Sequence, residues 1–368
     1  MASPRIVVAA GGTGGHLFPA EALAEALRRR GVDVALASDE RASRYATSFA
    51  AADMHIIPSA TVKGRDPLSL ARTAVLLGSG LAKAYALLGR LRPAAVIGFG
   101  GYPTLPPVGA AVLRRIPSLI HDANAVMGRA NRLLAPRVDA IATSFPGVGG
   151  EDPRLARKVH LTGNPVRPAV LAAAQEPYPA LDGLLRLLVF GGSQGARIMA
   201  DIVPPALEQL EPATRQRFTV VQQAREEDLA RVRQTYQRLG VSADVAPFFT
   251  DLPRRIAEAH LVVSRSGAGT VAELAVIGRP AILVPLPHAL DQDQRANARV
   301  LEQAGGAILL PQDAFTPGRL ASELAALAQA PDRLAAMAAA NRAAGVPNAA
   351  ERLAELVLQV AGVVTAPA

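Results

Sequence analysis

The stretch VAAGGTGG at residues 8–15 recurs as LVFGGSQG at residues 188–195. In both copies a short apolar run ends in a glycine-rich turn, and a helical pattern follows. The agreement continues without a gap through Ala20 and Ala200 to Leu27 and Leu207. A strand, a glycine turn and a helix form the opening unit of a Rossmann-like domain. The repeat therefore predicts two such domains in one chain.

Short apolar runs alternate with longer helical patterns along both halves of the chain, which is typical of βα units that build a parallel sheet. We therefore predict an α/β protein of two Rossmann-like domains that face each other across a cleft, with ligands beyond the carboxyl ends of the strands. The expected strands are 5–10, 32–38, 54–58, 94–98, 118–121 and 140–143 in the first half, and 186–190, 218–222, 243–248, 261–264, 281–285 and 307–310 in the second.

The domain boundaries follow from a proline-rich stretch with little periodicity at 165–183, as expected of an interdomain linker. We predict a first domain at 1–164 and a second at 184–345. A C-terminal helix in 346–368 is expected to return toward the first domain. Hinges for domain closure are expected near 164–183 and near 349–360.

The composition is typical of a folded protein with large cores, because half of the 368 residues are apolar and 19% are charged. The absence of cysteine excludes disulfides, thiolate metal sites and cysteine nucleophiles, and it fits the cytoplasm. A net charge of +8 favours anionic partners, whereas 4% aromatic residues without a basic tract argue against nucleic acid. The first apolar run is too short for a signal peptide, and basic residues interrupt the stretch 68–91, so no membrane span is expected.

The two glycine turns, GGTGGH at 11–16 and GGSQG at 191–195, follow strands and open helices. Their backbone N–H groups are candidates for binding phosphate, although a tight turn alone would also require glycine. Neither turn has the G-x-G-x-x-G spacing, and the chain has no Gly-Lys-Ser/Thr loop. A dinucleotide oxidoreductase is therefore disfavoured.

A third strand, turn and helix start lies at 264–273 (SRSGAGTVAE). Glu273 is a candidate for binding both ribose hydroxyls, but Thr270 and Glu273 also have the spacing of a capping box. Further on, Asp291-Gln292-Asp293 matches the Asp-x-Asp pattern with which sugar transferases hold a metal. Its polar surroundings suit sugar hydroxyls better than a Mg²⁺ ion.

His16 and His121 are expected at the carboxyl ends of strands, where a histidine can act as a base or simply form a hydrogen bond. The chain has no Gly-x-Ser-x-Gly nucleophile elbow. A direct displacement at an activated substrate is therefore favoured over covalent catalysis.

Taken together, seven ordered segments resemble the MurG family of bacterial glycosyltransferases, which add N-acetylglucosamine to the lipid-linked muramyl-pentapeptide of peptidoglycan synthesis. The resemblance spans nearly the whole chain. The segments are 11–19 (GGTGGHLFP), 98–102 (GFGGY), 121–124 (HDAN), 163–167 (GNPVR), 191–197 (GGSQGAR), 265–273 (RSGAGTVAE) and 288–297.

The resemblance implies a GT-B glycosyltransferase whose second domain holds UDP-N-acetylglucosamine and whose first domain holds lipid I, the acceptor. Ser193 and Arg167 would contact the donor diphosphate, Glu273 the ribose, and the backbone of Phe249 the uracil. Asn124, Ala268 and Gln294 would hold the sugar hydroxyls. The other substrate-binding residues that it implies are Thr13, Gly14, Gly15, Tyr102, Gly269 and Thr270.

The implied reaction is a single displacement that inverts the sugar from α to β. His16 is the candidate general base, with Asn124 beside it; His121 and Asp122 are alternatives, and His16 could instead only form a hydrogen bond. No metal or cofactor is expected, because Arg167, the Ser193 loop and helix dipoles would stabilise the leaving diphosphate. The chain departs from the family pattern in two places. HDAN at 121–124 stands where HEQN is common, with Ala123 at the position of the glutamine. Asp293 stands where some relatives have glutamine.

A lipid-linked acceptor implies a peripheral enzyme on the cytoplasmic face of the inner membrane. The segment 63–92 combines apolar and basic residues in a way that suits an anionic lipid surface, although an amphipathic core helix is the alternative. The apolar residues are Leu70, Val75, Leu76, Leu77, Leu81, Leu87 and Leu88, and the basic ones are Lys63, Arg65, Arg72, Lys83, Arg90 and Arg92.

Two other functions remain open on the sequence. One is a GT-B transferase or epimerase that uses a UDP-sugar with a different acceptor, which the segments 98–102 and 121–124 disfavour. The other is a nucleotide-sugar sensor without catalysis, which intact His16, Asn124 and Glu273 disfavour.

Overall fold

A computed structural model describes residues 3–11, 14–40, 53–59, 66–150, 152–192, 195–287 and 290–364, without the side chains of 67–70 and 290. The chain divides into two compact units. The first is Met1–Arg167 with Pro347–Ala368, and the second is Pro168–Val346.

The first unit is built on a seven-stranded sheet in the order β3-β2-β1-β4-β5-β6-β7, in which every described pairing is parallel. Its central strands are buried on both faces, as a sheet covered by helices on each side requires. The strands are β1 (Arg5–Ala9), β2 (Asp33–Ser38), β3 (Asp53–Ile56), β4 (Ala95–Gly98), β5 (Ser118–Asp122), β6 (Ala140–Thr143) and β7 (Val159–Leu161).

Six α-helices belong to the described part of the first unit. The last of them packs on the first, and its residues Leu353 and Val357 are fully buried in the core of this unit. Glu351 accepts hydrogen bonds there from Arg29 and Arg30. The helices are α1 (Gly14–Arg29), α2 (Pro67–Leu91), α3 (Leu105–Arg114), α4 (Arg129–Leu134), α5 (Pro153–Ala156) and α15 (Ala349–Ala361).

The second unit repeats the plan on a six-stranded parallel sheet in the order β10-β9-β8-β11-β12-β13. Its strands are β8 (Leu185–Phe190), β9 (Phe218–Gln223), β10 (Ser242–Ala246), β11 (Leu261–Ser264), β12 (Ala281–Leu283) and β13 (Ala307–Leu309). Its helices are α6 (Pro168–Ala173), α7 (Arg197–Glu208), α8 (Pro212–Arg215), α9 (Leu229–Leu239), α10 (Leu252–Glu258), α11 (Ala268–Ile277), α12 (Asp293–Gln303), α13 (Pro317–Ala328) and α14 (Pro331–Ala344).

All twelve expected strands are present, with ends that differ by no more than two residues. β7 was not predicted, because it is a three-residue edge strand that is largely exposed and therefore lacks the apolar pattern of a buried strand. The two sheets confirm the prediction of two Rossmann-like α/β domains.

The stretch predicted as a linker, 165–183, is largely a structured part of the second unit. It contains α6, and Tyr178 packs against the core of that unit. Two arginines also bind its backbone: Arg279 donates to the carbonyl of Pro177 (2.8 Å) and Arg342 to that of Ala174 (2.8 Å). The division between the units therefore falls at Arg167–Pro168, because these contacts hold the rest of the stretch in place.

Within the described residues, Ala71–Leu91 is a helical segment whose length and apolar composition would suffice to cross a membrane. It packs along α3. Thr73, Ala84, Leu87 and Leu88 form a narrow buried stripe, and most of its other residues are exposed. By its contacts α2 is thus a surface helix of the first unit.

Candidate active site

Three loops of the first unit converge at the carboxyl edge of its sheet, because they follow the neighbouring strands β1, β4 and β5. His16 lies in the first turn of α1, and its ring packs on the turn at Gly100 and Gly101. A Cβ atom added to Gly101 would lie 3.4 Å from His16 Nε2, and one added to Gly100 would lie 3.4 Å from its Cε1. Both glycines have positive φ angles (83° and 73°), so the turn itself also favours glycine.

The surroundings of the His16 imidazole favour its neutral form. Its Nδ1 atom is buried and forms no hydrogen bond within the described part of the chain. Burial lowers the pKa of His16 below its usual value, and the Phe99 backbone opposes this to a smaller extent. A neutral imidazole is the form that can accept a proton.

His121, one of the alternative bases, is packed inside the first unit. It is fully buried, its Nε2 lies 3.2 Å from the carbonyl oxygen of Gly163, and its ring packs on Phe99. Burial lowers its pKa to about 4, with the Gly163 carbonyl opposing and the nearby His16 adding to the effect. His121 therefore anchors the loop that leads to Arg167.

Asp122, the other alternative base, shapes its own loop. Its carboxylate accepts hydrogen bonds from the backbone N–H of Asn124 (3.1 Å) and Gly128 (2.8 Å), and from Nδ2 of Asn131 (2.9 Å). These bonds fix the loop on which Asn124 is half-buried. Ala123, where the family pattern commonly has glutamine, lies between Asp122 and Asn124 and is buried.

Arg167 stacks on an aromatic ring that the sequence analysis did not single out. Its guanidinium carbon lies 4.1 Å from the centroid of the Phe18 ring. The same ring covers Gly14, where an added Cβ would lie 2.8 Å from Phe18 Cε2. Arg167 is therefore placed beside the first glycine turn. Gly15 is exposed in this turn, Tyr102 is half-buried in the next loop, and Thr13 lies outside the described residues.

In the second unit, two groups of candidate donor residues follow β8 and β11, which are neighbours. The turn after β8 is tight, since a Cβ at Gly191 would lie 2.2 Å from the backbone nitrogen of Ala196. Ser193, the residue expected to bind diphosphate, and His288 lie outside the described residues. The first turn of α11 contains Ala268, Gly269 and Thr270, and its N-cap, Gly267, provides no side-chain cap. The backbone N–H groups of that turn suit an anion or a hydroxyl.

The capping-box interpretation of Glu273 is wrong. The helix begins at Ala268 with Gly267 as its N-cap, so Thr270 lies inside the helix and Glu273 lies in its second turn. Glu273 is nonetheless 9% exposed.

The segment after β12 is strained. Asp291 and Gln292 both have left-handed backbone conformations (φ 59° and 56°), which non-glycine residues rarely adopt. Gln294 follows, and its Oε1 accepts a hydrogen bond from the backbone N–H of Leu286 (3.0 Å), which orients its amide. Burial raises the pKa of Asp293, and Asp291 adds to this effect. No group of three histidine or carboxylate side chains within the described ranges is arranged to hold a metal ion.

Phe249, the residue expected to meet the uracil through its backbone, is fixed by its side chain. Its ring is buried, and the Arg255 guanidinium carbon lies 4.2 Å from the ring centroid. Arg255 is itself bound by Asp251 (2.7 Å) and Asp244 (2.6 Å). The preceding Phe248 is 60% exposed and presents an aromatic face, a feature that the sequence analysis missed.

Comparison with known proteins places the chain among glycosyltransferases. The model of the glycosyltransferase family 28 N-terminal domain matches residues 6–143, and that of the C-terminal domain matches residues 186–353. A Rhodopseudomonas palustris (strain BisB18) protein is 62% identical over 363 residues, 98% of this chain and 97% of that protein. It is named UDP-N-acetylglucosamine--N-acetylmuramyl-(pentapeptide) pyrophosphoryl-undecaprenol N-acetylglucosamine transferase.

A Nitrobacter hamburgensis protein of the same name is 61% identical over 361 residues, 98% of both chains. Among solved structures, the crystal structure of Acinetobacter baumannii MurG superposes with a TM-score of 0.80 and 29% identity. The match covers 97% of this chain and 99% of that one.

Proposed function

This chain belongs to glycosyltransferase family 28 and has the GT-B fold, and we propose that it transfers N-acetylglucosamine from UDP-N-acetylglucosamine to lipid I, forming lipid II. The observation that carries the proposal is the 62% identity, over 98% of the chain, to transferases named for this reaction. The acceptor is undecaprenyl-pyrophosphoryl-N-acetylmuramyl-pentapeptide, and its 4-hydroxyl is the nucleophile.

We assign the donor to the second unit. Glu273 binds the ribose hydroxyls; it lies in the second turn of the helix that follows β11, at the carboxyl edge of the sheet, and it is not part of a capping box. The backbone at Phe249 binds the uracil, and the exposed ring of the preceding Phe248 offers a surface for stacking on the base. The open N-terminus of α11 and the oriented amide of Gln294 bind the sugar.

In the reaction, the acceptor 4-hydroxyl attacks the anomeric carbon of the donor sugar as the bond to UDP breaks. His16 takes the proton from the hydroxyl, and a half-buried imidazole with a lowered pKa suits this role. Asn124 positions the sugar on the loop that Asp122 shapes. One displacement inverts the configuration from α to β.

The leaving diphosphate gains negative charge as the bond breaks. Arg167 and the glycine turn at 191–195 stabilise that charge, as fixed cationic and N–H groups do in a preorganised site. We propose that no metal ion is required, because these groups supply the positive potential themselves.

We further propose that the enzyme works at the cytoplasmic face of the membrane, where the lipid tail of the acceptor lies. Three apolar side chains of α2 are exposed to solvent, Val75 (71%), Leu76 (38%) and Tyr85 (43%), and Leu113 (62%) of α3 adds a fourth. Arg72, Lys83 and Arg90 on α2 are exposed too. Exposed apolar and basic groups together suit anionic lipid. Leu87 and Leu88, which we had included in this surface, are buried in the core instead, and Lys63 and Arg65 lie outside the described residues.

The decisive experiment incubates the purified chain with sugar-labelled UDP-N-acetylglucosamine and a lipid I preparation. We expect label to enter the lipid fraction as a disaccharide product. Label that stays in the nucleotide sugar, or that moves to an epimeric UDP-sugar without acceptor, would contradict the proposal. Binding without any turnover would indicate a sensor.

A further inference from the structure

Ser266 connects the starts of two helices of the second unit, α11 and α12. Its hydroxyl donates a hydrogen bond to the carbonyl oxygen of Gln294 (2.8 Å), and its own carbonyl accepts one from Nδ2 of Asn297 (3.2 Å). Ser266 and Asn297 are both fully buried. We propose that Ser266 is a positioning residue, which holds the amide of Gln294 at a fixed distance from the N-terminus of α11 and so sets the affinity for the sugar of the donor. The inference rests on the proposed function.

The start of α12 is not fixed by a cap of its own. Its N-cap, Gln292, has a left-handed backbone conformation (φ 56°) and provides no side-chain cap. The first turn of α12 contains Gln294, and the second begins at Asn297. The two hydrogen bonds of Ser266 therefore attach both turns to the connection between β11 and α11.

The residue before Ser266 holds the other side of the same amide. The guanidinium of Arg265 donates to the carbonyl oxygens of Val284 (3.1 Å) and Pro285 (3.0 Å), just beyond the end of β12. The next residue, Leu286, donates its backbone N–H to Oε1 of Gln294 (3.0 Å). The backbone on both sides of this amide is thus held from the connection between β11 and α11.

The orientation of the Gln294 amide decides what it offers to a ligand. Because Leu286 binds Oε1, the N–H groups of Nε2 are left to donate to an oxygen atom of the sugar, and no group in the described part of the chain accepts from them. A sugar that contacts both this amide and the first turn of α11 depends on the distance between them. The nucleotide, which we assigned to Glu273 and Phe249, does not depend on it.

The chain offers a matched control two residues earlier, at the end of β11. Ser264 is fully buried, like Ser266, but its hydroxyl has no hydrogen-bond partner among the described residues. Ser264→Ala therefore removes a buried hydroxyl from the same connection without breaking a contact to α12.

The experiment measures the dissociation constants of UDP-N-acetylglucosamine and of UDP, together with the melting temperature. We expect Ser266→Ala to weaken the nucleotide sugar about fivefold, the effect of one hydrogen bond, and UDP less than twofold. Ser264→Ala should leave both dissociation constants within twofold of wild type.

A double variant shows whether Ser266 acts through Gln294. Gln294→Met should weaken the nucleotide sugar at least as much as Ser266→Ala does, because the donor to the sugar is lost outright. Adding Ser266→Ala to Gln294→Met should then have no further effect, since two changes that act through one contact are not additive.

The same variants separate the possible failures. Ser266→Ala that leaves the ratio of the two dissociation constants unchanged, with or without a lower melting temperature, would overturn the positioning role, and so would a full additional loss in the double variant. Wild type that binds neither ligand would overturn the proposed function itself. If Ser266→Ala does not fold, the ratio in Ser266→Cys decides, because a thiol is a weaker donor; an unchanged ratio counts against the proposal.

Discussion

The guanidinium of Arg167 lies over the ring of Phe18, with its central carbon 4.1 Å from the ring centroid. Phe18 belongs to the first helix of the chain, whereas Arg167 ends the N-terminal segment of the first unit. The stack fixes a long, flexible side chain next to the first glycine turn. A side chain ordered in advance loses less entropy when it meets a phosphate.

Phe18→Leu keeps an apolar side chain and removes the aromatic face. We expect the KM for UDP-N-acetylglucosamine to rise a few-fold, because a cation–π contact contributes about 0.5–1 kcal/mol at such a site. Arg167→Ala should raise it more than tenfold through the lost charge. Arg319→Ala, which removes an exposed arginine paired with Glu323, is the control. Equal KM values in wild type and Arg167→Ala would remove Arg167 from the donor site.

Glu273→Gln tests the ribose assignment. Wild type should bind UDP more tightly than 2′-deoxy-UDP, and the variant should show a smaller preference, because a neutral amide oxygen replaces the charged acceptor of the hydroxyl. We expect a loss of about tenfold for UDP. Calorimetry on both ligands measures this. A 2′-hydroxyl preference that is undiminished by the substitution would rule out the assignment.

His16→Ala should lower turnover at saturating donor and acceptor by about 10²–10⁴-fold, the usual contribution of a general base. Because burial lowers the pKa of His16 below 6.5, the wild-type rate should fall only when the pH drops below that value. A loss of less than about tenfold in a folded variant would show that His16 is not the base.

His121 makes the fold sensitive to acid. Its pKa is about 4 in the folded protein and 6.5 as the reference value, so the folded state resists the proton that the unfolded chain accepts. The contribution of His121 to the free energy of unfolding is complete above pH 6.5. It is lost as the pH falls toward 4, and the loss amounts to up to about 3 kcal/mol. His121→Asn should have a flatter dependence of the unfolding free energy on pH over that range. Denaturant titrations at several pH values give the comparison, and parallel curves would contradict it.

Reversing the charges of Arg72, Lys83 and Arg90 together should abolish sedimentation with anionic vesicles. Each basic residue near such a surface contributes about 1 kcal/mol, so the triple change should weaken binding more than 100-fold. Vesicles of neutral lipid, and Arg319→Glu on the second unit, serve as controls. Binding that persists unchanged would place the membrane surface elsewhere.

The strands were predictable because buried parallel strands are nearly continuous apolar runs, and because the glycine turns mark where β1 and β8 end. β7 carries no such pattern and was missed. Within the candidate site, spacing alone could not tell a cap from a ligand at Glu273, since the difference depends on which residue begins α11. Nor could it separate His16 from His121, because the burial of each ring and the contact of His121 with the Gly163 carbonyl depend on residues far apart in the chain.

The placement of α15 bears on the order in which the chain folds as it is synthesised. Leu353, Ala354 and Val357 fill the core of the first unit, yet they emerge from the ribosome after the whole of the second unit. Until then, the face of α1 that packs against α15 stays uncovered, whereas the second unit has every residue of its own sheet available. We therefore expect the second unit to reach its native state first. The sheet of the first unit would depend on chaperones until α15 packs on α1.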